Sequence, residues 1–114
     1  MTRVRLNANS CEFRCPGCGQ LHVLPIDNQA SHPRWIFTGD ADCPTLAPSI
    51  LARGLLCVYD EAGEWTGEWQ RDAAGEPIPF VCHSFVRNGR IEFLGDCTHN
   101  LAGQTIDLPV QAPL

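Results

Sequence analysis

Cys15-Pro16-Gly17-Cys18-Gly19 is the stretch of sequence that fixes the long-range geometry of the fold. Its two thiolates stand three positions apart around a Pro-Gly turn, which is half of a tetrahedral zinc site. Pro16 fixes its own φ, and the glycines let the backbone curl so that amide groups point at the sulfur atoms. A closed site needs a second half, and the candidate ligands are Cys82, Cys97, His22, His83 and His99.

The composition indicates one domain over residues 1–114, long enough for a modest core but small enough that a metal would add noticeably to its stability. Acidic residues number 13 against 8 Lys and Arg, the net charge is −5, and the basic residues are scattered singly. Such a surface lacks the positive patch that a phosphate backbone requires, so nucleic acid is not an expected partner.

The start of the chain, Met1 to Arg5, leads into no apolar stretch of signal-peptide length. No run approaches the roughly 18–20 apolar residues of a membrane span. We therefore expect a cytoplasmic protein, within a host cytoplasm if a phage encodes it, that does not enter a membrane. The cysteines number seven, which is odd, and one pair has metal spacing, so zinc in a reducing compartment is favoured over a disulfide framework.

The hydrophobic pattern predicts a small all-β domain built of sheet and hairpins, with the zinc knuckle and little helix. Short apolar runs are separated by nine prolines and ten glycines. A protruding loop or hairpin is expected at about 60–77, where Trp65 and Trp69 either form a binding edge or cover a small core. A single helical turn is expected over 98–102. The predicted strands are 3–7, 11–14, 21–25, 34–38, 49–52, 55–59, 79–87, 90–95 and 104–108.

The strongest local signal is Asn88-Gly89, the preferred pair for a two-residue type I′ turn, which predicts a hairpin over 80–96. The turn sets the register, so that His83 pairs with Leu94 and residue 81 pairs with Asp96. Side chains then divide between two faces. Cys82 and Cys97 are diagonal neighbours on one face, while His83 and Asp96 are diagonal neighbours on the other.

The first face completes a four-cysteine zinc site, because Cys82 and Cys97 can join Cys15 and Cys18. Such a site is closed, so it stabilises the fold without catalysing a reaction. Two alternatives stay open: His22, His83 or His99 replaces one sulfur, or the zinc has three protein ligands and activates a water. Thiolate ligands lower the Lewis acidity of zinc, so the closed site is preferred.

The second face predicts a catalytic group. A His held by an Asp is the base and its orienting carboxylate, as in a catalytic triad. Ser49 is the best candidate nucleophile, because Pro44 and Pro48 stiffen the segment that precedes it. The simpler interpretation is that Ser49 hydrogen-bonds local backbone, as serines commonly do.

Three elements of the chain resemble a family of small bacterial and phage proteins, some of them encoded beside ubiquitin-like conjugation systems and some labelled ammonia monooxygenase. They are the knuckle at 15–19, Pro48-Ser49-Ile50, and His83-Ser84-Phe85-Val86-Arg87-Asn88-Gly89. The resemblance implies a zinc-stabilised β-domain and a peptidase-like role on ubiquitin-like conjugates. The chain departs from the operon-linked members at Cys82-His83, in the 60–77 insertion and in its Asp96-Cys97-Thr98-His99 stretch, where it is similar to the phage branch.

Two hypotheses follow. The first is a zinc-stabilised hydrolase, similar to serine peptidases and esterases, with Ser49 as nucleophile, His83 as base and Asp96 as its orienting group. Its substrate would be a protein or peptide, with ubiquitin-like conjugates as the candidate. The second is a non-enzymatic zinc-binding module that binds a host protein through Trp65 and Trp69. An enzyme requires the Ser49 hydroxyl close to the His83 imidazole, whereas a binding module does not.

Overall fold

A computed structural model describes residues 2–26 and 35–110 of the chain. These residues contain no α-helix, and the prediction of a small all-β domain is confirmed. Residue 34, where the predicted strand 34–38 begins, lies outside the described ranges. The strands are β1 (Arg5–Leu6), β2 (Ser10–Arg14), β3 (Leu21–Pro25), β4 (Ile36–Gly39), β5 (Pro44–Leu55), β6 (Cys57–Tyr59), β7 (Trp65–Trp69), β8 (Pro79–Arg87), β9 (Arg90–Phe93) and β10 (Thr105–Asp107).

Three antiparallel sheets organise these strands. The first has the order β1-β2-β3, the second has the order β10-β9-β8-β5-β4, and the third is the hairpin β6-β7. Phe13 of the first sheet and Phe93 of the second are the largest fully buried side chains of a common core. The strands of both large sheets alternate between buried and more exposed residues, which is the pattern of sheets with one face on a core.

The hairpin β8–β9 has the predicted turn and register. Asn88 and Gly89 have φ of 52° and 77°, as a type I′ turn requires, and Arg87 pairs with Arg90. The ladder continues to the pair of Ser84 and Phe93. Beyond it the prediction is wrong for one pair, because the Val81 carbonyl accepts the backbone N–H of Thr98 instead of pairing with Asp96. A turn closed by the Cys97 N–H and the Leu94 carbonyl, 3.3 Å apart, takes up the extra residues.

Strand β5 is longer than the sequence predicted. The segment 44–48 belongs to it in spite of its two prolines. Pro48 lies where the pairing of β5 with β8 is interrupted, so its missing N–H removes no bond from the ladder between these two strands.

The segment 60–77 contains two turns of the same form, Asp-x-Ala-Gly-Glu, one on each side of β7. In each, the carboxylate of Asp60 or Asp72 accepts the backbone N–H groups two and four residues further on, at 2.9 or 3.0 Å. Gly63 and Gly75 both have φ of 82°, which a side chain would disfavour. The first turn joins β6 to β7, which together form a two-stranded hairpin.

The predicted helical turn at 98–102 is an irregular turn without an α-helix, and it ends at Gly103, whose φ is 79°. Among the described residues, no helix is long and apolar enough to cross a membrane.

Candidate active site and metal centre

Ser49 lies in a bulge of strand β5. Between the pairs Leu46–Val86 and Ile50–Ser84, β5 has three residues where β8 has one. The additional residues push the backbone out of the ladder and redirect the Ser49 side chain. The bulge is held from one side by Trp35, whose indole N–H donates to the Ser49 carbonyl at 3.2 Å.

The imidazole of His83 lies between a hydroxyl and a carboxylate. Its Nε2 is 3.1 Å from Ser49 Oγ, and its Nδ1 is 3.2 Å from Asp96 Oδ2. An ionised carboxylate only accepts hydrogen bonds, so Nδ1 carries the ring proton in the neutral imidazole. Nε2 then has a free lone pair that accepts the Ser49 hydroxyl proton. The arrangement has the geometry of a nucleophile, a general base and an orienting carboxylate.

This group of side chains is open to solvent. The side chain of His83 is 25% exposed and that of Asp96 is 56% exposed. Leu51, which pairs with His83 across the strands, is itself 48% exposed. The site is therefore an open sheet surface with an apolar neighbour, a shape that suits a broad partner better than a small molecule.

The backbone of His83 is held by Cys97. The His83 N–H donates to Cys97 Sγ at 3.2 Å, and the thiol donates back to the His83 carbonyl at 3.2 Å. Cys97 is only 9% exposed and directly follows Asp96 in the chain. The Cys97 thiol thus fixes the backbone of His83, and Cys97 is adjacent to Asp96, which orients the His83 imidazole.

A buried cluster of sulfur and nitrogen atoms lies behind the same strand. One ligand atom from each of four residues lies within 4.8 Å of the others, and the residues are Cys15, Cys18, His22 and Cys82. The knuckle is the connection between β2 and β3, closed by hydrogen bonds of 3.0 Å between Cys15 and Gln20 and between Gly19 and Cys15. The cluster could hold a metal ion, because its donors are those of tetrahedral N/S sites.

The sequence left the fourth position open, and the structure brings His22 into the four-membered cluster. His22 Nε2 is 3.6 Å from Cys18 Sγ, and the imidazole packs edge-on against Phe13 at 5.2 Å. Cys97 lies in a second, overlapping group with Cys82 and His99. The four-cysteine ligand set therefore stays a prediction, with Cys97 beside the cluster and bonded to His83.

Hydrogen bonds within the cluster shift the pKa values of its thiols in opposite directions. Thiol hydrogen bonds from Cys18 and Cys82 hold the pKa of Cys15 far below its ordinary value. Because Cys18 and Cys82 donate hydrogen bonds to Cys15, their own pKa values are raised, that of Cys18 to about 12. Burial lowers the pKa of the His99 imidazole beside them, although the Cys15 charge acts in the opposite sense. A divalent cation would replace the shared protons and leave thiolate ligands.

Two other features lie away from Ser49, His83 and Asp96, although Cys15 of the cluster lines the second. Trp65 is 50% exposed and its ring lies 4.9 Å from that of Trp69, so the pair forms an aromatic surface on β7. An open cavity of about 600 Å³ lies between β2 and the turn after β6. Its lining includes Arg5, Glu12 and Glu64 but none of Ser49, His83 or Asp96.

Comparison with known proteins gives one family. The family described as "Bacterial ubiquitination-like system serine protease (BubE)" matches residues 2–94. No curated protein and no solved structure matches the chain.

Proposed function

The chain belongs to the BubE family of bacterial ubiquitination-like system serine proteases, and on that premise we propose that it hydrolyses peptide or ester bonds through Ser49. One observation carries the proposal: the His83 imidazole lies 3.1 Å from the Ser49 hydroxyl and 3.2 Å from the Asp96 carboxylate. A serine that merely bonded local backbone would not need this arrangement.

The reaction follows from the hydrogen-bond roles. Ser49 Oγ attacks the acyl carbon of the substrate while its proton passes to His83 Nε2. Asp96 stabilises the imidazolium and keeps Nδ1 protonated. The imidazolium then protonates the leaving amine or alcohol, and the bond between the acyl carbon and its leaving group breaks. A water deprotonated by His83 then attacks the acyl-enzyme, the bond between the acyl carbon and Ser49 Oγ breaks as the imidazolium returns the proton to Oγ, and the carboxylic acid product leaves.

The substrate class is a protein or peptide. Small-molecule sites enclose most of their ligand in a concavity, whereas Ser49 and His83 are partly exposed on a sheet surface beside the half-exposed Leu51. A partner with its own extended surface can cover such a site and exclude water. The family name supports a ubiquitin-like protein, as a precursor or a conjugate, as that partner.

The metal of the buried cluster is zinc, which stabilises the fold and takes no part in the reaction. Cys15, Cys18, Cys82 and His22 would hold it, since their donor atoms lie within 4.8 Å of one another and all four are buried. Three thiolates and one imidazole close the coordination of zinc and leave no position for a water. A four-cysteine set with Cys97 in place of His22 is the alternative.

The test combines covalent labelling with single variants. A serine-directed phosphonate is expected to label Ser49 in the wild type and to fail with His83→Ala. With a ubiquitin-like precursor as substrate, Ser49→Ala and His83→Ala should each lose on the order of 10⁶-fold in kcat, and the double variant should lose no more. Asp96→Asn should lose on the order of 10⁴-fold.

Ser84→Ala is the matched control, because Ser84 is the next residue along β8 but is fully buried on the other face. It should label and turn over as the wild type does. Full activity in Ser49→Ala would exclude the serine mechanism.

A second function, binding a partner without catalysis, is favoured by the exposed Trp65 beside Trp69. It predicts a shift in tryptophan emission when a ubiquitin-like protein is added, retained in Ser49→Ala and lost in Trp65→Ala. Emission that does not change with the partner would count against a binding role for this hairpin.

A further inference from the structure

His99 lies against the buried cluster but outside its four-membered set. Its Nε2 is 3.5 Å from Cys82 Sγ, and its Nδ1 lies 3.2 Å from the backbone nitrogen of Leu101. The ring therefore contacts a thiol on one side and a main-chain amide on the other. These two partners decide what the imidazole can do.

The amide determines the tautomer. A backbone N–H only donates, so Nδ1 accepts the hydrogen bond from Leu101 and carries no proton. In the neutral ring the proton is then on Nε2, which presents an N–H to the sulfur of Cys82. To bind a metal through Nε2, His99 would have to move its proton to Nδ1, where it would oppose the N–H of Leu101.

We propose that His99 is not a ligand of the metal centre and that it donates its Nε2–H to the Cys82 thiolate. The proposal rests on the metal-binding part of the proposed function. Zn²⁺ bound by three thiolates and one neutral imidazole forms a centre with a net charge of −1. An N–H donor stabilises this negative charge at one sulfur. Cys82 is the ligand that benefits.

The position of the ring is fixed by packing on two sides. The His99 ring lies edge-on to Phe93, with centroids 4.5 Å apart and an interplanar angle of 82°. On the knuckle side it lies over Gly17, where a Cβ would overlap the ring atoms. Gly17 is not among the glycines with positive φ, so the absence of a side chain there serves the close approach of His99.

The first experiment reads the tautomer directly. In ¹⁵N-labelled protein saturated with zinc, long-range ¹H–¹⁵N correlation is expected to show His99 protonated at Nε2 and unprotonated at Nδ1. A His99 ring that is protonated at Nδ1, with Nε2 bound to metal, would overturn the proposal. This measurement distinguishes a hydrogen-bond donor at Nε2 from a metal ligand at Nε2, and the release rates below test whether the hydrogen bond stabilises the centre.

The second experiment measures metal release to a competing chelator. His99→Ala should keep one zinc per chain but release it about 10–100-fold faster, as loss of such a partner commonly does. Gly17→Ala should do the same, because its methyl group displaces the ring while every sulfur remains. Asn100→Ala, at the exposed neighbouring position, should release zinc at the wild-type rate.

The outcomes separate the two proposals. Loss of stoichiometric zinc in His99→Ala would make His99 a ligand, and an unchanged release rate would show that its hydrogen bond does not stabilise the centre. Either result overturns the inference about His99 but not the proposed metal centre. A wild-type protein that takes up no zinc overturns the proposed centre and the inference with it.

Discussion

Cys82 and His83 are consecutive residues of β8 whose side chains lie on opposite faces of the sheet, one in the buried cluster and the other against Ser49. Asp96 and Cys97 are also consecutive, and both contact His83: the carboxylate orients the imidazole and the thiol holds its backbone. One segment of β8 therefore joins the metal cluster to the catalytic group. A disturbance of the metal cluster should reach the imidazole through one peptide bond.

Removal of the metal is the first test of this coupling. Strong chelation, or Cys82→Ser, should lower the melting temperature by more than about 10 °C, because a structural zinc contributes on the order of 10 kcal/mol to folding. Phosphonate labelling of Ser49 should fall at temperatures where the protein is still folded. Cys43→Ser is the control, since Cys43 is exposed and outside the cluster; equal melting of both variants would contradict a structural metal.

Ser84 gives a prediction about stability alone. Its Oγ is buried and has no hydrogen-bond partner among the described residues. A buried hydroxyl without a partner costs about 1–3 kcal/mol, so Ser84→Ala should raise the free energy of unfolding by about 1 kcal/mol in urea titrations. A loss of more than about 1 kcal/mol would indicate that the hydroxyl has a partner in solution.

The sequence predicted the face of His83 because one local signal determined it. Asn88-Gly89 specifies a two-residue turn, and the turn specifies the register of every residue back to Ser84. The expectation for the Asp96 pairing failed because it extended this ladder past the end of β9, where a turn intervenes. His83 and Asp96 still meet, since the turn brings the carboxylate back to the same face.

The position of His22 on the buried face could have been predicted from the sequence. If the knuckle is read as the turn of a hairpin, Cys15 stands opposite Gln20 and Phe13 opposite His22. Residues on one face of a strand pair alternate, so His22 shares the buried face with Cys15. The bulge at Ser49 and its contact with Trp35 had no such signal, because they join segments distant in sequence.

Trp35 provides a test of how the nucleophile is positioned. Trp35→Phe keeps an aromatic ring but removes the N–H that binds the Ser49 carbonyl at 3.2 Å. One hydrogen bond contributes about 0.5–1.5 kcal/mol, so kcat and the rate of phosphonate labelling should fall about 2–13-fold with KM and zinc content unchanged. Equal labelling rates in both proteins would remove Trp35 from the positioning of Ser49.

Substitution of Cys97 distinguishes the ligand set that contains His22 from the set of four cysteines. If Cys97 holds only the backbone of His83, Cys97→Ser keeps a donor and an acceptor there and should retain both zinc and most of the activity. Cys97→Ala should also retain one zinc per chain, but kcat should fall about tenfold because the His83 peptide unit loses two hydrogen bonds.

The four-cysteine prediction expects the opposite. If Cys97 is a ligand, both substitutions should lose zinc and melt early, whereas His22→Ala should keep its metal. Elemental analysis of the three variants, together with their melting temperatures, separates the sets. Zinc retained in both Cys97 variants and lost in His22→Ala would assign the fourth position to the imidazole, and would leave Cys97 as the thiol that links the metal centre to the base.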